Sequence, residues 1–313
     1  MRKIFVLGGI NADIVLGVSI LPTGGQTVKG KTLYINPGGK GANQAVSAAR
    51  QGANVFMIGK VGKDSFASSA LANIKEAGVH IDYVYISDRE RTGTALIFVS
   101  ESGENMIGFY PGATQTLTPQ ELDIVLNSAS PGDIFLSSME PKPEIVFYSL
   151  KKAKELNLMT ILNPAPAHPI PSDIYPLLDF ITPNETEAKE LVGKKFDGID
   201  EALDITEEFH KMGVKHAVIT LGETGCAFVS EEYRMRIPSF KVDNVVDTTA
   251  AGDAFNGALA AALAVEMDVV DTLRFANAAG ALCVTRPGAQ NSMPYRKNVE
   301  ELLKEAKASG HDL

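Results

Sequence analysis

The chain has 313 residues, with 29 Lys and Arg against 38 Asp and Glu and a formal net charge of −9. Apolar side chains make up 45% of it, too many for a disordered chain, and the 28 Gly and 16 Pro follow no collagen-like period. The length allows two domains or one large α/β domain, and either can bury a core without disulfides. The acidic balance excludes a nucleic-acid or anionic-membrane binder, whose affinity comes largely from excess Lys and Arg. It also poses a question: an anionic ligand such as ATP would need a local positive field.

The apolar run Ile4–Leu7 breaks at Gly8-Gly9 and meets Asn11 and Asp13. It therefore predicts a first buried strand, Lys3–Leu7, and not a signal peptide. A helix over Gly41–Gly52 would carry Ala45, Ala48 and Ala49 on one face. A strand at Val55–Ile58 and a helix at Ser65–Ala77, stopped by Gly78, follow. Further strands are expected at Ile134–Ser137, Thr160–Asn163, Phe180–Thr182 and Ala217–Leu221, with helices Glu144–Leu156 and Glu201–Met212 among them. The last third reads as helices Ala251–Val265, Val270–Val284 and Lys297–Ala308. This alternation predicts an α/β fold, a three-layer αβα sandwich with a mainly parallel central sheet.

Two segments, about 14–36 and 94–110, carry β-like patterns with no helix between them. Thr94–Ser100 and Asn105–Tyr110 flank Glu101-Ser102-Gly103-Glu104, a hairpin-type connection. They are expected to form a small protruding β-sheet, a lid inserted into one domain of residues 1–313. Cys226 and Cys283 have no ligand spacing and read as reduced, packed thiols. The His residues at 80, 168, 210, 216 and 311 form no zinc pattern. The longest small-apolar stretch, Gly257–Val265, is too short to span a bilayer. A cytoplasmic protein without membrane partners is the expectation.

Residues Gly25 to Thr32 match the P-loop pattern GxxxxGK[ST] letter for letter. That motif works only between a strand and a helix, whose N-terminal N–H groups cradle phosphate. Here β-like Leu33-Tyr34-Ile35 and then Pro37 follow, so no helix begins at Lys31 and the match is set aside. Gly39-Lys40-Gly41 gives GxG without the third glycine of a dinucleotide fingerprint.

Three constellations could carry chemistry. Asn11 and Asp13 follow a strand that ends in two glycines; they could bind vicinal hydroxyls, or simply turn the chain. Gly38, Gly39 and Gly41 open a helix that carries Lys40 and Asn43, and let backbone approach a ligand closely. The strongest is Asp247-Thr248-Thr249-Ala250-Ala251-Gly252-Asp253-Ala254-Phe255-Asn256-Gly257, small residues feeding a long helix. The N–H groups of Ala251, Gly252 and Asp253 would form an anion hole at the helix N-terminus. Asp253 beside it could accept a proton from an attacking hydroxyl.

With GGKGANQA near the start and DTTAAGDAFNGA near the end, the chain resembles the PfkB family of carbohydrate kinases. Ile181–Ala188, Ile219–Gly225 and Arg286–Gln290 fall in matching order, so the resemblance covers essentially the whole chain. It implies a sugar site at Asn11, Asp13, Gly38, Gly39, Lys40, Asn43 and Glu140, with Asp253 as catalytic base and Ala251 and Gly252 in the anion hole. It implies ATP along Asn184, Glu187, Thr220, Gly222, Gly225, Gly252 and Asn277, with Asn184 and Glu187 organising Mg²⁺ through water. It further implies an activating monovalent cation, K⁺, at Asp247, Thr249, Cys283, Arg286, Gly288 and Ser292, with Cys283 giving its carbonyl. Ala250 departs from the glycine usual there. The implied acceptor is the 5-hydroxyl of D-ribose, which Asn11 with Asp13 favours over 2-deoxyribose. Fructose or a nucleoside is the alternative acceptor within the family, and a non-catalytic binding protein the alternative outside it. A homodimer through the lid is expected, with Val15, Val18, Ile97 and Val99 as apolar positions to protect.

Overall fold

The computed structural model describes residues 1–308; His311 lies outside them. In chain order the first elements are β1 (Lys3–Leu7), β2 (Asn11–Val18), β3 (Gly30–Gly38), α1 (Lys40–Arg50), β4 (Asn54–Gly62), α2 (Ser65–Glu76), β5 (His80–Ser87), β6 (Gly93–Val99) and β7 (Asn105–Tyr110). Then come α3 (Pro119–Leu126), β8 (Ile134–Ser137), α4 (Pro143–Glu155), β9 (Met159–Leu162), β10 (Phe180–Ile181), α5 (Glu185–Val192), α6 (Gly198–Lys211) and β11 (His216–Thr220). The chain closes with β12 (Cys226–Val229), β13 (Arg234–Ile237), α7 (Ala251–Ala264), α8 (Val269–Cys283) and α9 (Arg296–Ala308).

The large sheet has the order β13-β12-β11-β10-β9-β8-β1-β4-β5. Strands from β11 to β5 pair in parallel, while β12 and β13 fold back antiparallel at one edge. Alternation along β1 divides the core. Ile4 and Val6 pack with residues of α1, α2, α7 and α8, whereas Phe5 and Leu7 pack with residues of α3, α4 and α6. Helices thus cover both faces of the sheet, as the alternation predicts. No helix among the described residues is long and apolar enough to cross a membrane.

The second sheet has four strands in the order β3-β2-β6-β7. It extends further than the patterns 14–36 and 94–110 suggest. Asn11 pairs with Gly38 on one side and Gly93 on the other, so the ladder runs right down to the main sheet. Asn11 and Asp13 are therefore strand residues and not turn residues. Polar residues at these positions hide the strand from a pattern based on apolar alternation. The P-loop look-alike leads into β3, where Lys31 pairs with Glu101 of the opposite hairpin.

Candidate active site

The site lies at the carboxyl ends of the central strands, where parallel α/β sheets bind ligands. The end of β1 and the start of α1 cross in close contact. A Cβ on Gly41 would lie 2.5 Å from the Cα of Gly8. Glu140, just after β8, closes this crossing. Its carboxylate accepts hydrogen bonds from the N–H groups of Gly9 (2.7 Å), Lys40 (3.0 Å) and Gly41 (3.1 Å). The Ser138 hydroxyl (3.1 Å) and the Asn11 amide (3.3 Å) donate to it as well. Glu140 thus staples three chain segments together, a task that its identification as a sugar ligand does not convey.

Asn11 and Asp13 stand two apart on β2 and share one face. The Asp13 carboxylate occupies the space where a side chain on Gly38 would be. Gly39 has φ 94°, and a Cβ there would collide with the carbonyl of Gly9. The buried Oδ1 atoms of Asn11 and Asn43 have no hydrogen-bond partner. Each such acceptor costs about 1–3 kcal/mol until a donor arrives, so the site suits a ligand rich in hydroxyl groups.

The charges are arranged around Lys40. Burial, then the nearby carboxylates of Glu140 and Asp253, push the Asp13 pKa up to about 6 against the pull of Lys40. Asp253 most of all, with Glu140, Glu187 and Asp13, raises the pKa of Lys40 despite its burial, so its ammonium stays charged. One ammonium among four carboxylates is not a positive field by itself, so an anionic ligand here would also need the free N–H groups of a helix start or a bound cation.

Helix α7 supplies the rest. Asp253 is buried; its Oδ2 accepts from the Asn43 amide (2.9 Å) and its Oδ1 from the Gln44 amide (3.0 Å). Burial raises its pKa, while Lys40 and the Asn43 and Gln44 donors oppose the rise. Gln44 escaped the sequence reading although it adjoins Asn43; the available signal was a second amide in an alanine-rich turn. At the helix start, the N–H of Ala251 makes only a 3.4 Å contact to the Thr248 carbonyl. The N–H groups of Gly252 and Asp253 have no acceptor among the described residues. A Cβ on Gly252 would meet nothing within 4 Å, so this turn opens outward. Free N–H groups and the helix dipole suit it to hold an anion.

A buried carboxylate, a turn with free N–H groups, a lysine and unpartnered amide acceptors would suit a phosphoryl-transfer site. Residues 1–296 match the family model described as pfkB family carbohydrate kinase. The chain belongs to this family. A ribokinase of Bacillus subtilis is 41% identical over 303 residues, covering 97% of this chain and 100% of that protein. A deoxyribokinase of Salmonella typhimurium is 32% identical over 301 residues, covering 96% and 98%. The structure of Arabidopsis thaliana ribokinase complexed with ribose and ATP superposes with a TM-score of 0.89 at 33% identity, covering 97% of this chain and 99% of that one.

In this pfkB kinase the residues expected along ATP are spread over several elements: Asn184 and Glu187 at the start of α5, Thr220 at the end of β11, Gly222 and Gly225 between β11 and β12, Gly252 in α7 and Asn277 in α8. Asn184 and Glu187 form a capping box on α5: Asn184 Oδ1 accepts from the Glu187 N–H (2.9 Å) and Glu187 Oε2 from the Asn184 N–H (2.8 Å). Burial raises the Glu187 pKa, and its carboxylate feels Lys40 and Asp253, so α5 starts on the same site. Thr220 lies alongside, its N–H donating to Pro183 (2.9 Å). Gly222 faces open space, whereas a Cβ on Gly225 would collide with the Ile237 carbonyl. Asn277 donates to the carbonyls of Ile237 (3.2 Å) and Pro238 (3.3 Å). Gly225 and Asn277 therefore have a structural task in seating the end of β13.

The loops before α7 and after α8 meet through Asp247. Its Oδ1 accepts from the Thr249 N–H and its Oδ2 from the Gly288 N–H, both at 2.9 Å. Burial would raise its pKa, but these hydrogen bonds outweigh it and keep the carboxylate ionised. Burial pushes the Cys283 thiol up to about 11, and it sits 3.0 Å from Ser292 Oγ. A neutral thiol is a poor partner for a hard cation. The Cys283 carbonyl, for its part, accepts the Arg286 N–H (3.3 Å).

Proposed function

We propose that this chain is an ATP-dependent sugar kinase that phosphorylates the 5-hydroxyl of D-ribose, giving ribose 5-phosphate and ADP. The observation that carries the reading is the juxtaposition of Asp253 with unpaired N–H groups on one turn and with the unpartnered Asn11 and Asn43 acceptors at the sugar side. Higher identity to a ribokinase than to a deoxyribokinase supports ribose, as does similarity to a ribokinase complexed with ribose and ATP. The sugar is held by Asn11, Asp13, Lys40 and Asn43, with Gly38 and Gly39 giving backbone access and Glu140 fixing the loops. Asp253 takes the proton of the attacking hydroxyl. The N–H groups at Ala251–Asp253 and the Lys40 ammonium stabilise charge on the transferring phosphoryl group. Positioning and electrostatics supply most of the acceleration, because the transition state is loose.

Asn184, Glu187, Thr220 and Gly222 line the nucleotide side. The residues present fit a divalent ion: Glu187 keeps Oε1 free of protein partners among the described residues, and Mg²⁺ held there would neutralise phosphate charge. For K⁺, Asp247 offers an ionised carboxylate tied to the Thr249 and Gly288 N–H groups, and the Cys283 thiol lies near both the Thr249 carbonyl (3.8 Å) and the Ser292 hydroxyl (3.0 Å); the carbonyls of Thr249, Cys283, Arg286 and Gly288 and the Ser292 hydroxyl would supply the remaining oxygen donors. A cation bound there would add positive charge to the loop that leads into α7. The four-stranded sheet acts as a lid that excludes water, and it also joins two copies into a homodimer, in the cytoplasm.

ADP release measured on ribose, 2-deoxyribose, fructose and adenosine, with and without K⁺, tests the reading. Ribose should be turned over fastest, and faster with K⁺. Equal turnover of 2-deoxyribose would refute the specificity, and no turnover of any sugar would favour a non-catalytic binding protein.

A further inference from the structure

We propose that Gln44 is a positioning residue for Asp253, and that Asn163 and Thr182 in turn hold Gln44. The inference rests on the reading of Asp253 as the base. Gln44 is fully buried, and its Nε2 donates to both Asp253 Oδ1 and Asn163 Oδ1, each at 3.0 Å. Asn163, at the end of β9, donates through Nδ2 to the Thr182 carbonyl at the end of β10 (3.0 Å). Thr182 then donates its hydroxyl to Asn256 Oδ1 (2.6 Å), and Asn256 Nδ2 donates to the Gly252 carbonyl (2.8 Å). The chain of bonds leaves α7 at Asp253 and returns to it at Gly252. It ties the base and the anion-holding turn to the ends of two adjacent strands, β9 and β10.

A second observation argues against mere space-filling. Gln44 Oε1 is buried without a partner. An apolar side chain of this size would fill the space without that penalty, so the amide is retained for its donor. Its orientation follows from the partners: turning the amide over would set Oε1 against two oxygens. The Asn43 donor on Oδ2 and the Gln44 donor on Oδ1 hold the Asp253 carboxylate in one orientation, and both oppose the rise in pKa that burial imposes. The other charged and titratable groups that face it are Lys40 on α1, Glu140 after β8, Asp13 on β2, Glu187 on α5 and Cys283 on α8.

The test compares Gln44→Met, Asn163→Leu and Asp253→Asn in the full chain, reading kcat, the sugar KM and the pH profile of kcat. Gln44→Met should lower kcat roughly 10- to 100-fold with sugar KM changed less than about threefold. The acid limb of its profile should move to higher pH, because the ionised base has lost a donor. Asn163→Leu should do the same to a smaller extent, and the double variant should be no slower than Gln44→Met, since the two act as one unit. An unchanged kcat and acid limb in Gln44→Met, with Asp253→Asn inactive, would overturn the inference. Substantial turnover by Asp253→Asn would overturn the base itself. Should Gln44→Met fail to fold, as read by thermal unfolding, an unchanged profile in Asn163→Leu overturns the proposal in its place.

Discussion

Asp13 and Asp253 are two carboxylates of one site, and burial pushes the pKa of both upward. For Asp13 the consequence can be worked through. Its pKa rises from 3.8 in the unfolded reference to about 6 in the fold. Between those values the folded chain binds more protons than the unfolded one, so stability falls as pH rises through the window. Above pH 6 the cost is fully present. Asp13→Asn should therefore raise the unfolding temperature at neutral pH, by on the order of 1 kcal/mol in stability, while weakening sugar binding. It should also flatten the dependence of stability on pH between these values. An unfolding temperature that is the same for both proteins at neutral pH would refute the charge cost. At this scale Asp253, Lys40 and Asn43 were legible from their neighbours in the chain. Gln44 and Asn163 were not, because a buried amide declares its task only when its partners, 119 and 209 positions away, are known.

Helix α7 begins at an alanine in the left-handed region, Ala250 with φ 62° and ψ 12°. The turn needs this conformation to aim the first N–H groups outward, and glycine adopts it without a Cβ clash. Relief of about 1–2 kcal/mol of strain, set against about 0.4–1 kcal/mol of unfolded-chain entropy, leaves a net gain for Ala250→Gly of roughly 0.5–1 kcal/mol. Urea unfolding should show a higher midpoint with an unchanged slope, and a lower midpoint would show that the turn is not strained. Several elements were legible here: β1 and β8 as short continuous apolar runs, α2 by Ala67, Ala70 and Ile74 at helical spacing, and α7 as a long run of small apolar residues after a turn. The capping box Thr118–Glu121 marks the start of α3, and Asn184–Glu187 that of α5. The second box caps α5 while Glu187 also feels Lys40 and Asp253, so the helix end and the candidate site share it.

In the whole molecule the second sheet is the least protected part. Leu33 (67% exposed), Ile35 (51%), Leu96 (52%) and Met106 (47%) share one face through the register Leu33–Leu16–Phe98–Met106 and Ile35–Ile14–Leu96. The opposite face carries Asp13 and Val15 and, in register with them, the exposed Tyr34, Ile107 and Phe109. The expectation that Val15 and Val18 need protecting is corrected: both are already buried within one chain. An exposed apolar face of this kind suits a second copy. Sedimentation at micromolar concentration should show a dimer, and Leu33→Glu together with Ile35→Glu should shift it to monomer. A wild-type monomer under these conditions would refute the dimer.

By itself the sequence determined the α/β class, six of the nine strands of the main sheet and the family, because apolar runs, turn glycines and the two signature runs are local properties of the chain; β5, β12, β13, α3 and α5 were not read from it. It also determined that Asp253 would head a helix beside unpaired N–H groups. Only the tertiary structure decided that Val15 and Val18 are buried within one chain, that Glu140 is a staple, and that Gly225 and Asn277 seat β13. It alone joined Gln44 to Asp253 through a buried amide chain. Those outcomes depend on contacts between segments far apart in the chain, where a side chain's partner is set by packing and not by its neighbours in sequence.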